Sequence, residues 1–163
     1  MEALNIKELR KKLDSNEITK EELFQDSKNK ANKYQEKYNS FVITEETTYK
    51  AQVNGQKMYY MRQVNRKEKT FIPRMIANTF RSLKIFKTEK PDVVICTGVL
   101  AMIPICLIAK LHGKKLIYIE SFAKVTSATL TGKLLYKFAN QFYVQWPEML
   151  KIYPKAIYLG GIY

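Results

Sequence analysis

The chain is poor in the residues that carry most metal and redox chemistry. Its 163 residues include two cysteines, one histidine, six glycines and five prolines. Two thiols cannot build the disulfide framework of a small secreted domain, and both Cys96 and Cys106 lie in apolar segments where core packing in a reducing cytoplasm is expected. His112 has no carboxylate or thiol at the spacing of a catalytic triad or zinc site. No Gly-x-Gly-x-x-Gly or P-loop motif is present, which argues against dinucleotide-binding and NTPase domains.

Acidic residues are also in the minority. The chain has 28 Lys and Arg against 15 Asp and Glu, a formal charge of +13. The first forty residues are nearly neutral, so residues 41–163 carry +12, and nine of the basic side chains fall between Arg62 and Lys90. A basic surface attracts nucleic acid, anionic lipid and phosphorylated ligands through the same field, so charge alone leaves all three partners open.

The first ninety residues predict helices on either side of two strands. Residues 1–40 read as two short helices, with a capping box formed by Thr19 and Glu22. Residues 41–44 and 57–64 are β-branched or aromatic runs that predict two strands, separated by the turn pair Asn54-Gly55. Pro73 suits the first turn of a helix that ends before Pro91.

This last helix has an amphipathic pattern. Ile76, Phe80 and Leu83 recur at helical spacing, and basic residues lie on the other face. The basic residues that we expect to face a membrane are Arg74, Arg81, Lys84 and Lys87.

From residue 93 onward, strands and helices alternate. Apolar strands are predicted at 93–96, 116–119, 141–145 and 156–159, with helices at 99–111 and 130–139 and a helical turn after Pro147. This alternation predicts an α/β fold with a Rossmann-like parallel sheet. The uncharged interval 93–109 is as short as a membrane span can be, and a strand followed by a buried helix explains it better. A helix that dips into the membrane interface is the alternative.

Ligands of open α/β sheets bind beyond the carboxyl ends of the strands, which singles out three residue pairs. Thr97-Gly98 would let a backbone approach a phosphate or sugar, or is a plain tight turn. Glu120-Ser121 offers a carboxylate for sugar hydroxyls or for base chemistry, or else a cap or a partner of Lys124. At Gln145-Trp146 the indole would stack on a sugar or fill the core.

Five segments carry a resemblance to a known family: Pro91–Gly98, Tyr118–Ser121, Leu130–Lys133, Val144–Pro147 and Tyr153–Gly160. Together they resemble the acceptor-side subunit of two-subunit glycosyltransferases, over about residues 40–163. That family includes the eukaryotic membrane-anchoring partner of the dolichol-linked GlcNAc transferase and bacterial capsule proteins that enhance a β-1,4-galactosyltransferase.

The resemblance implies the N-terminal, acceptor-binding half of a GT-B glycosyltransferase. A separate catalytic chain would bind the UDP-sugar and transfer a hexose, Gal or GlcNAc, to a polyprenyl-pyrophosphate-linked sugar in capsular or exopolysaccharide synthesis. By analogy with the transferase of peptidoglycan synthesis, Thr97, Gly98, Glu120 and Ser121 would line the acceptor cleft, with Gln145, Trp146 and Gly160 facing the cleft or the partner. The resemblance implies no cofactor and no catalytic residue in this chain, and peripheral binding to the cytoplasmic face of the plasma membrane.

The beginning of the chain departs from that family. Members usually start with a buried strand and a Ser-Ser-Gly-Gly-His-like loop, and neither occurs here. Residues 1–40 instead resemble the N-terminal helices of the amidase-type subunit of tRNA-dependent amidotransferases. A fused or rearranged reading frame is the expected cause, and the sheet should lack its usual first strand.

Two other functions remain open from the residues themselves. The basic segment Arg62–Lys90, with Tyr59 and Tyr60 stacking on bases, would suit a nucleic-acid-binding module. No RNA-binding motif accompanies it, so we expect no nucleic-acid partner. An inactive, truncated remnant of the glycosyltransferase subunit is the other alternative.

Overall fold

The computed structural model describes residues 11–48 and 56–160 of the chain. The chain divides into two compact units, Met1–Val42 with Gln52–Met58 and Ile43–Ala51 with Tyr59–Tyr163. The predicted turn pair Asn54-Gly55 and most of the predicted first helix lie outside the described residues.

The N-terminal unit contains the helix α1, Lys20–Lys37. Its start is fixed by the predicted capping box. The Thr19 amide donates to Glu22 Oε2 at 2.8 Å, and the Glu22 amide donates to Thr19 Oγ1 at 3.1 Å. Two backbone donors that the helix cannot satisfy are therefore paired by side chains, which confirms this prediction.

The strands β1, Phe41–Glu45, and β2, Lys57–Met61, form a two-stranded sheet and are followed by helix α2, Phe71–Glu89. Asn78 of α2 is fully buried. It accepts a hydrogen bond from the Arg62 amide at 3.0 Å and donates one to the Arg62 carbonyl at 2.8 Å. A buried amide side chain needs such partners, so this pair fixes α2 against the segment that follows β2.

Four parallel strands follow in the order in which they occur in the chain. They are β3, Val93–Cys96; β4, Lys115–Ile119; β5, Gln141–Val144; and β6, Ile157–Tyr158. The connections contain α3, Ile103–Leu111, and α4, Leu130–Leu135, with short 3₁₀ helices at Leu100–Met102 and Pro147–Lys151. The predicted α/β fold with a Rossmann-like parallel sheet is confirmed, with a helical segment before it.

One face of this sheet forms the core. Cys96 is paired with Tyr118, and Tyr118 with Phe142, so these three side chains form a buried row across the sheet. The Tyr118 and Phe142 rings stack at 4.7 Å, and Tyr153 packs on Phe142 at 4.6 Å. Such aromatic packing adds to the free energy gained by burial.

The opposite face and the β3 edge are less covered. The strands are added to the sheet in one direction, and the connections between parallel strands are right-handed, so their helices lie on the same face of the sheet. Val93 and Ile95 of β3 alternate with the buried Cys96 and are 44% and 63% exposed. In the described part of the chain, β3 is an edge strand, and the strand that the resemblance places before it is not seen there.

Two element boundaries differ from the sequence prediction. Helix α4 ends at Leu135 instead of 139, because the chain turns at residues 136–138 before β5. Helix α2 begins at Phe71, two residues before Pro73, which still lies in the first turn where its missing N–H costs no hydrogen bond. In the ranges that the structure describes, the helices are too short or too polar to cross a membrane.

Candidate functional site

The carboxyl ends of the parallel strands gather the sequence-predicted residues at one edge of the sheet. Each pair follows its strand: Thr97 and Gly98 after β3, Glu120 and Ser121 after β4, Gln145 and Trp146 after β5, and Gly160 after β6. We call this edge the strand-end site.

Gly98 forms a turn that only glycine accommodates well. Its φ is +97°, and a Cβ at this position would lie 2.9 Å from the Tyr118 hydroxyl. Thr97 is exposed. The tight-turn alternative describes this residue, and the atom that approaches its α-carbon closely is the Tyr118 hydroxyl. The approach of a phosphate or sugar to this turn stays a prediction.

Glu120 is the centre of a buried hydrogen-bond network. The residue is 1% exposed. Its carboxylate accepts from the Ser121 amide at 2.9 Å, the Thr129 hydroxyl at 2.8 Å and the Tyr153 hydroxyl at 3.0 Å, with longer bonds from the Tyr118 hydroxyl and the Thr129 amide. Hydrogen bonds to a charged acceptor are about twice as strong as neutral ones. The carboxylate thus joins the end of β4 to the start of α4 and to Tyr153.

Gly132 makes this network possible. It lies in the first turn of α4, where its amide donates to the N-cap side chain of Thr129 at 2.8 Å. A Cβ on Gly132 would clash with Glu120 Oε2 and would lie 2.7 Å from the Tyr153 hydroxyl. Only glycine lets the helix approach the carboxylate this closely.

Both tyrosines of the network are held in the protonated form. Burial raises the pKa of Tyr118, and the nearby Glu120 carboxylate raises it further. The pKa of Tyr153 is raised by burial and by the same carboxylate, which accepts the proton of its hydroxyl. The network can therefore orient the loop after β4 and the start of α4. These contacts correspond to the alternative in which Glu120 caps the segment that follows it.

Gln145 and Trp146 tie the loop after β4 to the end of β5. Gln145 is buried, and its side-chain amide donates to the Glu120 carbonyl at 2.9 Å. Trp146 is half-buried, donates to the Phe122 carbonyl at 2.7 Å and packs on the Phe122 ring at 4.9 Å. Gly160 has a φ of +98° with open space around it and joins none of these contacts.

The predicted basic residues of α2 separate into two pairs. Arg81 donates to the Tyr60 carbonyl at 3.2 Å, and Arg74 bonds to the Gln63 carbonyl and pairs with Glu68 at 2.9 Å. Both arginines thus hold the segment around β2. Lys84 and Lys87 are exposed. Arg62, Arg74, Gln63 and Glu46 also line an open depression of about 420 Å³, separate from the strand-end site.

Sequence reasoning placed the apolar face of α2 without identifying which face is buried. The core face contains Asn78, Ser82, Ile85 and Phe86. Ile76 and Phe80 of the predicted stripe are 53% and 68% exposed, and Ile72 at 66% extends the same stripe by one turn. We call Ile72, Ile76 and Phe80 the apolar stripe.

Three contributors to the Glu120 network were missed from the sequence: Tyr118, Thr129 and Tyr153. A signal existed for two of them. Thr129 precedes the apolar helix α4 as an N-cap residue does, and Tyr118 lies two residues before Glu120, on the same face of an extended chain. Tyr153 carries no local signal, because it lies 33 residues from Glu120 in the sequence.

Comparisons with known proteins identify a family that matches this chain. The model of the family described as "Oligosaccharide biosynthesis protein Alg14 like" matches residues 4–162. The human "UDP-N-acetylglucosamine transferase subunit ALG14" is 40% identical over 87 residues, which cover 50% of this chain and 40% of that protein. The Schizosaccharomyces pombe subunit of the same name is 45% identical over 75 residues, which cover 43% of this chain and 36% of that one.

A solved structure is also similar. It is the crystal structure of Acinetobacter baumannii MurG, with 21% identity and a TM-score of 0.47 over 58% of this chain and 28% of that one. The chain spans about two fifths of the length of the human relative. Because the family match extends over nearly every residue, the chain belongs to the Alg14-like family of oligosaccharide biosynthesis proteins.

Proposed function

We propose that this chain is the acceptor-side subunit of a two-chain glycosyltransferase and is not catalytic alone. A separate subunit would bind the UDP-sugar and donate a hexose, Gal or GlcNAc. The acceptor would be a polyprenyl-pyrophosphate-linked sugar, in the synthesis of oligosaccharide or of capsular polysaccharide. The observation that carries the proposal is the strand-end site, which is ordered by the Glu120 network in a chain of the Alg14-like family.

The positions of the proton-accepting groups support a noncatalytic role. Glu120 is buried and its oxygens are occupied by internal donors. His112 is the chain's single histidine and follows α3, before β4 begins, so it lies at the opposite edge of the sheet. Its Nδ1 is 2.8 Å from the Ile108 carbonyl, and its ring packs on Phe86. General base chemistry at the strand-end site would then come from the partner subunit.

Acceptor binding is assigned to the strand-end groups that reach solvent. Thr97 is exposed and Ser121 half-buried, so their hydroxyls can bond to sugar hydroxyls, while Gly98 and Glu120 fix the two turns that carry them. Trp146 and Gly160 are assigned to the cleft or the partner. The proposed roles, acceptor binding by this chain and UDP-sugar binding by a separate subunit, require no cofactor.

Helix α2 supports peripheral binding to an anionic membrane, which we place at the cytoplasmic face of the plasma membrane. The apolar stripe repeats every four residues and is more than half exposed. Lys84 and Lys87, which the sequence pattern assigned to the other face, follow the apolar stripe on the same side of the helix at the helical spacing of 3.6 residues per turn. An interfacial helix buries such a stripe at the headgroup boundary, and each nearby Lys or Arg contributes about 1 kcal/mol beside anionic lipid.

Co-expression tests the glycosyltransferase proposal. The chain would be produced with a nucleotide-sugar-binding glycosyltransferase subunit, purified through a tag on one partner, and assayed for transfer to a lipid-pyrophosphate sugar. We expect copurification and transfer that neither chain shows alone, reduced by T97A and S121A and unchanged by T126A in the neighbouring exposed loop. Absence of both copurification and rate enhancement would refute the proposal.

Vesicle flotation tests the membrane contact separately. We expect the wild-type chain to float with phosphatidylglycerol vesicles and less with phosphatidylcholine vesicles. The exchange I76S/F80S should abolish flotation, while L111S/L159S, at residues that are 85% and 79% exposed elsewhere, should not. K84E/K87E should weaken binding more than K151E/K155E, which changes the net charge equally. Equal effects of the two charge pairs would show a diffuse electrostatic attraction and contradict docking through α2.

A nucleic-acid-binding role has less structural support. Tyr59 and Tyr60 are half-buried, and the Tyr59 hydroxyl donates to Glu89 of α2. Bases stack on exposed aromatic faces, which these side chains offer only in part. Salt-sensitive RNA binding without vesicle binding would favour this alternative.

A further inference from the structure

The open depression beside α2 is lined by polar residues: Glu46, Arg62, Gln63 and Arg74. Its volume of about 420 Å³ is typical of small-molecule sites, which measure about 300–1,000 Å³. Glu46 follows β1 and Arg62 follows β2, and the Glu46 amide donates to the Met61 carbonyl at 2.8 Å. The ends of the two strands therefore lie side by side, and all four lining residues belong to the same compact unit.

The backbone around the depression is held in place by internal hydrogen bonds. Asn78 Oδ1 accepts from the Arg62 amide at 3.0 Å, and Asn78 Nδ2 donates to the Arg62 carbonyl at 2.8 Å. Arg74 donates to the Gln63 carbonyl at 3.2 Å and pairs with Glu68 at 2.9 Å. A ligand would not have to order these residues, and such preorganisation lowers the entropic cost of binding.

Two opposite charges line the depression without pairing. The Arg62 guanidinium and the Glu46 carboxylate form no ion pair with each other. Within the part of the chain that the structure describes, neither charged group bonds to another residue, and the side-chain amide of Gln63 is free as well. The depression therefore offers strong donors and a strong acceptor that a single molecule can engage together.

The chemistry of these groups selects the class of ligand. A guanidinium binds phosphate oxygens through parallel N–H donors, and the Gln63 amide supplies a further donor. A carboxylate accepts hydrogen bonds from hydroxyl groups. Nine basic side chains lie between Arg62 and Lys90, so the surrounding field favours a ligand of net negative charge over a zwitterion. These requirements together describe a phosphate ester that bears free hydroxyl groups.

We propose that the depression is a binding site for hydroxyl-bearing phosphate esters, with the phosphate on Arg62 and Gln63 and a hydroxyl group on Glu46. The motivating observation is that free groups of opposite charge line one preorganised concavity. The headgroup of phosphatidylglycerol and a soluble polyol phosphate both carry this chemistry. The site is separate from the strand-end site, and it depends on neither the proposed glycosyltransferase role nor docking through the apolar stripe.

Titration of the isotope-labelled full chain with glycerol 3-phosphate, followed by NMR, tests the site. We expect saturable shifts of the amides of Glu46 and residues 62–64. R62A should weaken binding at least about tenfold, because it removes a hydrogen bond to a charged group. R66A removes the same charge from the neighbouring exposed loop and should have little effect. R62A should fold normally, since Asn78 holds the backbone of this residue and not its side chain.

Glu46 separates recognition of the hydroxyl groups from simple anion binding. E46A should weaken the binding of glycerol 3-phosphate several-fold without weakening the binding of inorganic phosphate, which lacks the glycerol hydroxyls. E148A removes an exposed carboxylate elsewhere and should alter neither affinity. Absence of saturable binding, equal effects of R62A and R66A, or an equal loss of both probes in E46A would overturn the proposal.

Vesicle flotation identifies the source of the phosphate ester. Phosphatidylglycerol and phosphatidylserine carry the same net charge, but only the first presents glycerol hydroxyls. If the site takes a lipid headgroup, R62A and E46A should reduce the preference for phosphatidylglycerol, and R66A should not. If it takes a soluble ester, R62A and R66A should change flotation alike, while R62A alone loses glycerol 3-phosphate. These readouts need no partner subunit, so failure of the proposed glycosyltransferase function would leave them unchanged.

Discussion

The substitution of Gly132 by alanine is the sharpest test of the Glu120 network. The added methyl group would occupy the space of Glu120 Oε2 and would lie 2.7 Å from the Tyr153 hydroxyl and 2.8 Å from Thr129 Oγ1. All three atoms belong to the hydrogen bonds that hold the carboxylate. The carboxylate must therefore move, or α4 must retreat from the sheet.

The expected loss follows from the bonds at risk. A hydrogen bond to a charged group contributes about 1.5–3 kcal/mol, and displacing the carboxylate weakens at least the bonds from Tyr153 and Thr129. The higher helix propensity of alanine offsets about 1 kcal/mol of this loss in the free energy of unfolding. We expect a net destabilisation of about 2–4 kcal/mol, which for a domain of this size corresponds to a drop of roughly 5–15 °C in Tm.

Urea unfolding followed by circular dichroism measures this change, and the chain offers a matched control. Gly113 has a φ of +71° with nothing within 4 Å of an added Cβ, so G113A reports backbone strain alone, about 1–2 kcal/mol. Combined with Y153F, G132A should cost less than the sum of the two single changes, because both disturb the same bond. A G132A chain that is no less stable than G113A would refute the assigned geometry.

Three further predictions concern the same core and its surroundings. Y153F removes the donor at 3.0 Å from Glu120 and should lower the free energy of unfolding by about 1.5–3 kcal/mol in a urea titration, whereas Y158F, at an exposed residue, should leave it within about 0.5 kcal/mol. S82A should stabilise the chain by about 1 kcal/mol, because in the described residues the buried Ser82 hydroxyl has no hydrogen-bond partner; a loss of stability would reveal a bond that this structure lacks. Alkaline pH should destabilise the fold, because the folded chain raises the pKa of Tyr118 and Tyr153 above the ordinary value near 10. The contribution of each tyrosine is fully present below pH 10 and is lost as pH rises, by up to about 1.4 kcal/mol per pH unit; unfolding measured from pH 8 to 11 should show a smaller slope for Y118F than for Y158F.

The parallel sheet was predictable because its strands are locally distinctive. Residues 93–96 and 115–119 are almost entirely apolar or β-branched, and turn residues bound them, so strand assignment required no knowledge of the partners. The end of α4 was not predictable, since the turn after Leu135 depends on the approach to β5, and the periodic residues continue past it.

The orientation of α2 illustrates a limit of periodicity. The pattern located an apolar stripe at Ile76 and Phe80, but the face that packs inward contains Asn78 and Ser82. Asn78 is buried because it pairs with the backbone at Arg62, and that pairing depends on tertiary structure. A helix with a second apolar face cannot be oriented from hydrophobicity alone.

The sequence predicted the position of the candidate site but not the hydrogen bonds that order it. Its position after the strands follows from the parallel topology, whereas the surroundings of Glu120 depend on Thr129 and Tyr153, which the fold brings together. The acceptor-binding roles, the separate origin of residues 1–40 and their amidase-type resemblance stay predictions. The resemblance to bacterial capsule proteins also stays a prediction, whereas membership of the Alg14-like family is shown by the family match.

The order of the parallel strands has a consequence for how the chain acquires its structure. Each strand from β4 to β6 pairs with the strand made just before it, and no later strand inserts between two earlier ones. A ribosome delivers strands in this same sequence, so each new strand can join the sheet at one growing edge as it emerges. Pairing with the preceding strand also keeps the loop-closure entropy of each step smaller than pairing with a more distant strand would. The Glu120 network closes only when Tyr153 has been synthesised, so the last part of the sheet to appear is also the part that completes the strand-end site.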